Sequence, residues 1–341
     1  MLLFELPCFE LADAESLEQA VRTLERYGVK ARVLSGGMDL LSIMKERIEG
    51  PTLRIPEILV NIKNIPELKG IVHDAKSGLR VGAAVTLSSL ERSEIIQEKF
   101  PVLSQAAGQI GTTQIRNRGT IGGNICQRPR CMYFRHPHFI CLKKGGRACL
   151  ARAGEHRYEH SIIQRGKCAM AHPSDLAPAL MALDARVKIA GLKGLTEIRL
   201  AEFFTSENPA AGETVLRPEE FVAGFQIPFP RASTRQRFMK RRIRRASDFA
   251  LANVAVAAEI NDGICEDVRI VLGGIAPSPY MASGSMDVLK GKPFIGKLIS
   301  EAAEASVAEA TPLKNNIYKV DLTKALVRRA LESIAVDILE G

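Results

Sequence analysis

Tryptophan is absent from the 341 residues, and aromatic residues make up only 5% of them. That scarcity argues against the base-stacking platforms that hold single-stranded nucleic acid. No apolar run approaches the roughly 20 residues that cross a bilayer as a helix, so no membrane span is expected. The first residues, MLLFELPCFELADAES, carry acidic groups and a proline. That is not the pattern of a secretory signal, and a cytoplasmic location is expected. No Cys-x-x-Cys pair occurs, so a zinc finger or ribbon fits poorly. There is no Ser-His-Asp arrangement and no pair of carboxylates at diagnostic spacing. The chain is therefore not expected to carry acid–base residues for a substrate of its own.

What is present is an ordinary globular composition with two local peculiarities. Hydrophobic residues are 46% and charged residues 25%, and the length suggests about two to three domains. Lys and Arg number 47 against 38 Asp and Glu, a formal +9. Part of the excess is a run, Arg231, Arg235, Arg237, Lys240, Arg241, Arg242, Arg244 and Arg245, with no acidic residue between Phe221 and Ser247. It reads as a solvated or subunit-facing strand, as a surface toward an anionic cofactor, or as a nucleic-acid contact. The third reading is disfavoured by the lack of interleaved aromatics. The second peculiarity is cysteine. There are 7, and five lie between Cys126 and Cys168; five of the six histidines, His136, His138, His156, His160 and His172, lie between His136 and His172. In a reducing compartment clustered thiols more often bind metal than pair. Cys8 and Cys265 stand apart and are expected to be inert fillers.

Periodicity supports an alternation of helix and strand in the first ~125 residues. Ser16 caps a helix ended by Gly28, with strands over 31–34, 58–60 and 79–83 and helices over 86–92 and 101–109. From 123 to 166 the rhythm disappears. A structureless insert of ~40 residues is uncommon in a compact domain and is usually functional or disordered; metal is what typically orders one studded with cysteines. Regular structure resumes at Ser174 with a helix, then strands over 187–189 and 198–200. Strands over 250–260 and 268–272 and two helices, near 297–310 and 324–338, suggest a separate α+β C-terminal domain starting near 230.

Two glycine loops could cradle an anion. Val33-Leu34-Ser35-Gly36-Gly37-Met38-Asp39-Leu40 is a strand, a tight turn and a helix start. Arg118-Gly119-Thr120-Ile121-Gly122-Gly123-Asn124 adds a hydroxyl and an amide suited to phosphate oxygens. Neither fits GxGxxG or GxxxxGK[ST], which disfavours a classical dinucleotide fold or a P-loop kinase. The cysteines are spaced Cys126-x4-Cys131-x9-Cys141-x7-Cys149-x18-Cys168. Four thiolates on irregular loops suit a [4Fe–4S] cluster. Structural zinc and inert thiols remain the alternatives. The histidines are more often hydrogen-bonded groups than ligands.

Together these loops resemble the flavoprotein subunits of the molybdenum hydroxylases. Ser35-Gly-Gly-Met-Asp-Leu-Leu41 is similar to their first FAD loop and Ile115-Arg-Asn-Arg-Gly-Thr-Ile-Gly-Gly-Asn124 to their second. Ser174-Asp175-Leu-Ala-Pro-Ala-Leu-Met-Ala-Leu183 resembles the acidic segment that follows, and Gly273-Gly-Ile-Ala-Pro-Ser-Pro279 the turn of their C-terminal domain. The resemblance runs in order over nearly the whole chain. It implies an α+β fold: a two-part FAD-binding domain, 1–60 and 61–228, and a C-terminal α+β domain, 229–341, like that of carbon monoxide dehydrogenase flavoprotein. It implies FAD held by Val33, Leu34, Ser35, Gly36, Gly37, Met38, Asp39, Leu40, Ile110, Thr120, Ile121, Gly122, Gly123, Asn124, Asp175, Val222 and Lys240. Many relatives have Thr where Met38 stands, so one hydroxyl contact to phosphate is missing.

The insert, at about 125–168, resembles that of a subgroup similar to the 4-hydroxybenzoyl-CoA reductase β subunit and the flavin subunit of a bacterial aldehyde oxidoreductase. That likeness implies Cys131, Cys141, Cys149 and Cys168 as ligands of a [4Fe–4S] cluster, with Cys126 spare. It also implies an electron-transfer role beside a molybdopterin-binding large subunit and a [2Fe–2S] small subunit. The basic insert would suit an acidic, ferredoxin-like carrier. A stand-alone flavin oxidoreductase and a zinc-stabilised nucleic-acid binder are the rival readings.

Overall fold

The computed structural model describes residues 5–74, 76–205, 212–244 and 246–340, which leaves Arg245 of the basic run outside the described residues. Three short parallel strands come first, with Ile58–Asn61 between Glu10–Asp13 and Ala31–Leu34. The connecting helix Leu17–Tyr27 forms as the sequence predicts. The Ser16 hydroxyl accepts from the Gln19 amide, Ala20, Val21 and Leu24 are buried, and Gly28 ends the helix at φ +51°. The strand Glu10–Asp13 has no apolar rhythm, being exposed along most of its length, and is not legible in the sequence.

A second sheet is antiparallel, in the order Ile71–Asp74, Gly78–Gly82, Phe221–Ile227, Arg186–Gly191, Gly194–Arg199. Gly78–Gly82 and Phe221–Ile227 are direct neighbours. Much of the chain between them is therefore an excursion from one sheet, and it carries the second glycine loop and the cysteines. Its helices Leu87–Arg92 and Pro101–Gly108 and the wholly buried Leu176–Ala182 join the sheet in one hydrophobic core.

The C-terminal sheet runs Thr234–Arg241, Ala252–Asn261, Ile264–Gly273, Tyr280–Met281, all antiparallel. Helices Gly296–Ala305 and Tyr318–Glu340 pack with it. Ala252–Asn261 reads as an unbroken apolar run because both of its faces are buried. Val254, Val256 and Ala258 belong to the core under the C-terminal helices, whereas Ala255 and Ala257 belong to the core of the preceding part. The C-terminal sheet is thus joined to the rest through one of its faces rather than standing apart. The middle of the basic run becomes the strand Thr234–Arg241, with Gln236 and Phe238 buried at the two-residue period of a strand. Arg231, Arg237 and Arg244 pair with Glu259, Asp337 and Asp248.

The cysteine segment keeps two single 3-10 turns, Leu142–Lys144 and Leu150–Arg152. Its own small core joins Cys131, Tyr133, Phe134, Cys141 and Ala151 to Ile43, Ile48 and Leu53. Its far end is tied to the C-terminal part, where the Ile162 and Ile163 amides donate to the Ile275 carbonyl. Among the described residues no helix is long and apolar enough to cross a membrane.

Candidate functional site

The two glycine loops meet in space. A Cβ on Gly36 would lie 2.3 Å from the Arg118 carbonyl oxygen and 2.9 Å from the Gly119 Cα, so only glycine permits this approach. Gly37 has φ +75°, which again favours glycine. The second loop is more regular than its glycines suggest. It forms two short helices, Thr113–Arg118 and Ile121–Ile125, because the Thr112 and Thr120 hydroxyls accept from the Ile115 and Gly123 amides.

Around the junction lies a cavity of about 680 Å³. Every residue expected to hold the cofactor lines it except Leu34 and Ile121. Ile121 is instead fully buried in the core, and Leu34 pairs with Asn61 in the first sheet. The Ser35 hydroxyl lies in this wall, buried and without a partner among the described residues. A buried hydroxyl left unpaired is costly, so the site is complete only with an acceptor or donor in the cavity. Met38 is 44% exposed and brings no polar side-chain group to the cavity.

Asp175 and Lys240 approach from different parts of the fold. Lys240 Nζ donates to Asp175 Oδ2 at 2.6 Å, and Asn253 Nδ2 donates to Asp175 Oδ1 at 2.7 Å. Both side chains of the ion pair are nearly inaccessible, at 1% and 3%. Removing one partner of such a pair leaves a buried charge uncompensated, which costs about 3–5 kcal/mol. We therefore expect Asp175→Ala to lower the thermal unfolding midpoint clearly more than Asp175→Asn, which keeps one hydrogen-bonding oxygen. Wild-type midpoints in both variants would show that the pair does not hold this wall.

Several lining residues escaped the sequence reading. Arg32, Arg54, Arg128, Arg130 and Lys143 make the wall cationic, and Phe249 closes part of it with Arg130 stacked over its ring at 4.3 Å. Burial lowers the Arg32 guanidinium, with Arg128 adding to the effect, and burial lowers Arg130 to about 10. An anionic ligand would relieve that crowding. Asp39, expected only as part of the first loop, in fact ties that loop to the cysteine segment. It pairs with Arg130 at 2.7 Å and Arg135 at 2.6 Å and accepts from the Arg128 amide at 2.8 Å. Only the density of Arg and Lys in the insert hinted at this, and Phe249 had no local signal.

A second, smaller cavity of about 20 Å³ is lined by Cys131, Cys141, Cys149 and Cys168, together with His160. Cys126 lines the large cavity instead. Cys8 is exposed, and Cys265 is buried in the C-terminal sheet. The four thiols come from separate turns over 131–168, yet all of them line this one cavity. Burial pushes Cys131 up to about 12. Interaction with Cys168 holds the Cys149 thiol below its usual range, and Cys168 itself is held above it. Buried thiols become thiolates readily only beside positive charge or metal. Among the described residues no three His, Cys, Asp or Glu side chains are grouped to hold a single metal ion. Of the histidines, His160 reaches this cavity. His156 accepts from the Asn315 amide, and His172, held neutral by burial at about 4, packs on Phe204.

Lys143 lines both cavities and pairs with the buried Glu213 at 2.7 Å. The two sites are thus separated at this point by one side chain.

Comparison with known proteins agrees with this architecture. The family described as "FAD binding domain in molybdopterin dehydrogenase" matches residues 7–230, and "CO dehydrogenase flavoprotein C-terminal domain" matches residues 237–334. The chain is 32% identical over 310 residues to the aldehyde oxidoreductase FAD-binding subunit PaoB of Escherichia coli (strain K12), covering 88% of this chain and 90% of that one. It is 28% identical over 332 residues to the carbon monoxide dehydrogenase medium chain of Hydrogenophaga pseudoflava, covering 96% and 97%. Among solved structures, a carbon monoxide dehydrogenase from Hydrogenophaga pseudoflava superposes with a TM-score of 0.78 at 27% identity, covering 98% of this chain and 99% of that one.

Proposed function

Because the chain belongs to the FAD-binding medium subunits of the molybdenum hydroxylase family, we propose that it holds FAD in the large cavity and a [4Fe–4S] cluster in the small one. On this reading it moves electrons inside a complex whose substrate chemistry takes place on a molybdopterin-binding large subunit, with a [2Fe–2S] small subunit between. The observation that carries the cluster reading is the convergence of Cys131, Cys141, Cys149 and Cys168 on one cavity from which Cys126 is excluded. Four thiols on irregular turns are the donor set of a [4Fe–4S] cluster.

The residues divide the work as follows. The backbone of Ser35, Gly36 and Gly37 and the loop from Thr120 to Asn124 would hold the FAD diphosphate. The Ser35 hydroxyl, without a partner among the described residues, would hydrogen-bond it, and Arg32 and Arg130 would balance its charge. Lys240 is fixed by Asp175, so its ammonium keeps a set position in the wall. Bound FAD exchanges one or two electrons and so couples one-electron clusters to a two-electron partner. Ile110 and Val222, both buried, contribute apolar wall. At the partition between the two sites Glu213 pairs with both Lys143 and Arg128.

Purification from the native host tests this. The expected result is a heteromeric assembly by native mass measurement, with flavin absorbance and a broad iron–sulfur shoulder from this subunit. A colourless chain that travels alone would overturn it.

A further inference from the structure

We propose that His160 and Lys144 set the reduction potential of the cluster site, His160 by donating a hydrogen bond to the Cys131 sulfur and Lys144 by holding a buried positive charge beside Cys131 and Cys141. The inference rests on the cluster reading above and names the side chains that tune it.

His160 lies 29 residues beyond Cys131, and its Nε2 stands 3.1 Å from the Cys131 Sγ. A sulfur bound to iron as thiolate has no proton to give, so the imidazole must be the donor there. Nδ1 is buried and has no partner among the described residues. The tautomer that satisfies the ring therefore carries its proton on Nε2. The ring is held in this position from outside the insert. The His160 carbonyl accepts from Lys319 Nζ at 3.1 Å and from Asn316 Nδ2 at 3.3 Å, and both donors are fully buried. The C-terminal part thus orients a group in contact with the cysteine site.

Lys144 is fully buried as well. Its ammonium donates to the His136 carbonyl at 2.6 Å, and no carboxylate pairs with it among the described residues. Its backbone amide donates to the Cys141 carbonyl at 2.9 Å, which places the residue beside the cysteine site. A buried ammonium without a counter-charge is strongly unfavourable. Four thiolates around a cluster supply that counter-charge. Gly50 lets the chain pass close over this residue, since a Cβ there would lie 2.7 Å from the Lys144 Cβ.

Both contacts act in one direction. Adding one electron makes the cluster and its thiolates more negative, and a donated hydrogen bond or a nearby cation stabilises that state more than the oxidised one. The potential is therefore higher than it would be with apolar neighbours.

The experiment is redox titration of the purified complex, followed by the electron paramagnetic resonance of the reduced cluster, for wild type, His160→Leu, His160→Gln, Lys144→Met and Lys144→Arg. We expect His160→Leu and Lys144→Met each to lower the potential by at least about 59 mV, a tenfold change in a one-electron equilibrium. His160→Gln and Lys144→Arg, which keep a donor and a charge, should recover part of the shift. Unchanged potentials in Leu and Met variants that retain iron and sulfide would overturn the inference while leaving the cluster intact. A wild-type complex with no cluster signal would instead sink the reading on which the inference rests. If the Leu variant fails to load, the wild-type complex carrying 15N-labelled histidine decides. A histidine nitrogen coupled to the reduced cluster supports the contact, and its absence overturns it.

Discussion

Iron and acid-labile sulfide should fall from about four per chain to near none when Cys131, Cys141, Cys149 or Cys168 is replaced by alanine. Cys126→Ala should leave both unchanged. The contrast follows from where the thiols sit. The first four line the small cavity, and Cys126 lines the large one. Burial pushes Cys126 up to about 12, so it stays a thiol. Losing one ligand also removes part of the insert's core, because Cys131 and Cys141 pack with Tyr133, Phe134 and Ile43. Arg128, Arg130 and Lys143 would then be less firmly held against the large cavity, and flavin should bind more weakly in the same variants. The decisive measurement is iron per chain in Cys149→Ala. A wild-type value there would contradict the ligand assignment.

Gly123→Val is expected to expel FAD without unfolding the chain, and Gly36→Val to do both. At Gly123 an added Cβ meets only Thr120 Oγ1, at 3.1 Å, within 4 Å. Only that hydroxyl must give, by a few tenths of an ångström, and a branched side chain would project toward the ligand's space in the cavity that Gly123 lines. At Gly36 the same atom would meet the Arg118 carbonyl at 2.3 Å, so the two loops would be forced apart. The expected loss in flavin affinity for Gly123→Val is at least about tenfold, or about 1.4 kcal/mol. Thermal unfolding should separate the two variants, with a midpoint near wild type for Gly123→Val and a clearly lower one for Gly36→Val. Stoichiometric flavin in Gly123→Val would show that this position does not face the cofactor.

Much of this arrangement was legible in the residues themselves. Ser16 and Gly28 bound a helix because capping is local chemistry, and the apolar run 250–260 marks a strand because any buried strand needs one. The two glycine loops stand out because close backbone approach excludes a side chain. Tertiary structure decided the rest. The edge strand Glu10–Asp13 exists through parallel pairing with Ile58–Asn61, a partner 48 residues on, and no local pattern announces it. Whether a thiol belongs to the cluster site or the flavin site depends on how turns over 126–168 fold back, which separates Cys126 from Cys131 although only four residues lie between them. The role of Asp39 as an anchor for Arg130 and Arg135, the place of Phe249 in the wall, and the contact of His160 with Cys131 all arise from groups brought together across long stretches of chain. Sequence periodicity records which face of an element is buried. It does not record which distant element covers that face, and the chemistry of both cavities lies in those distant meetings.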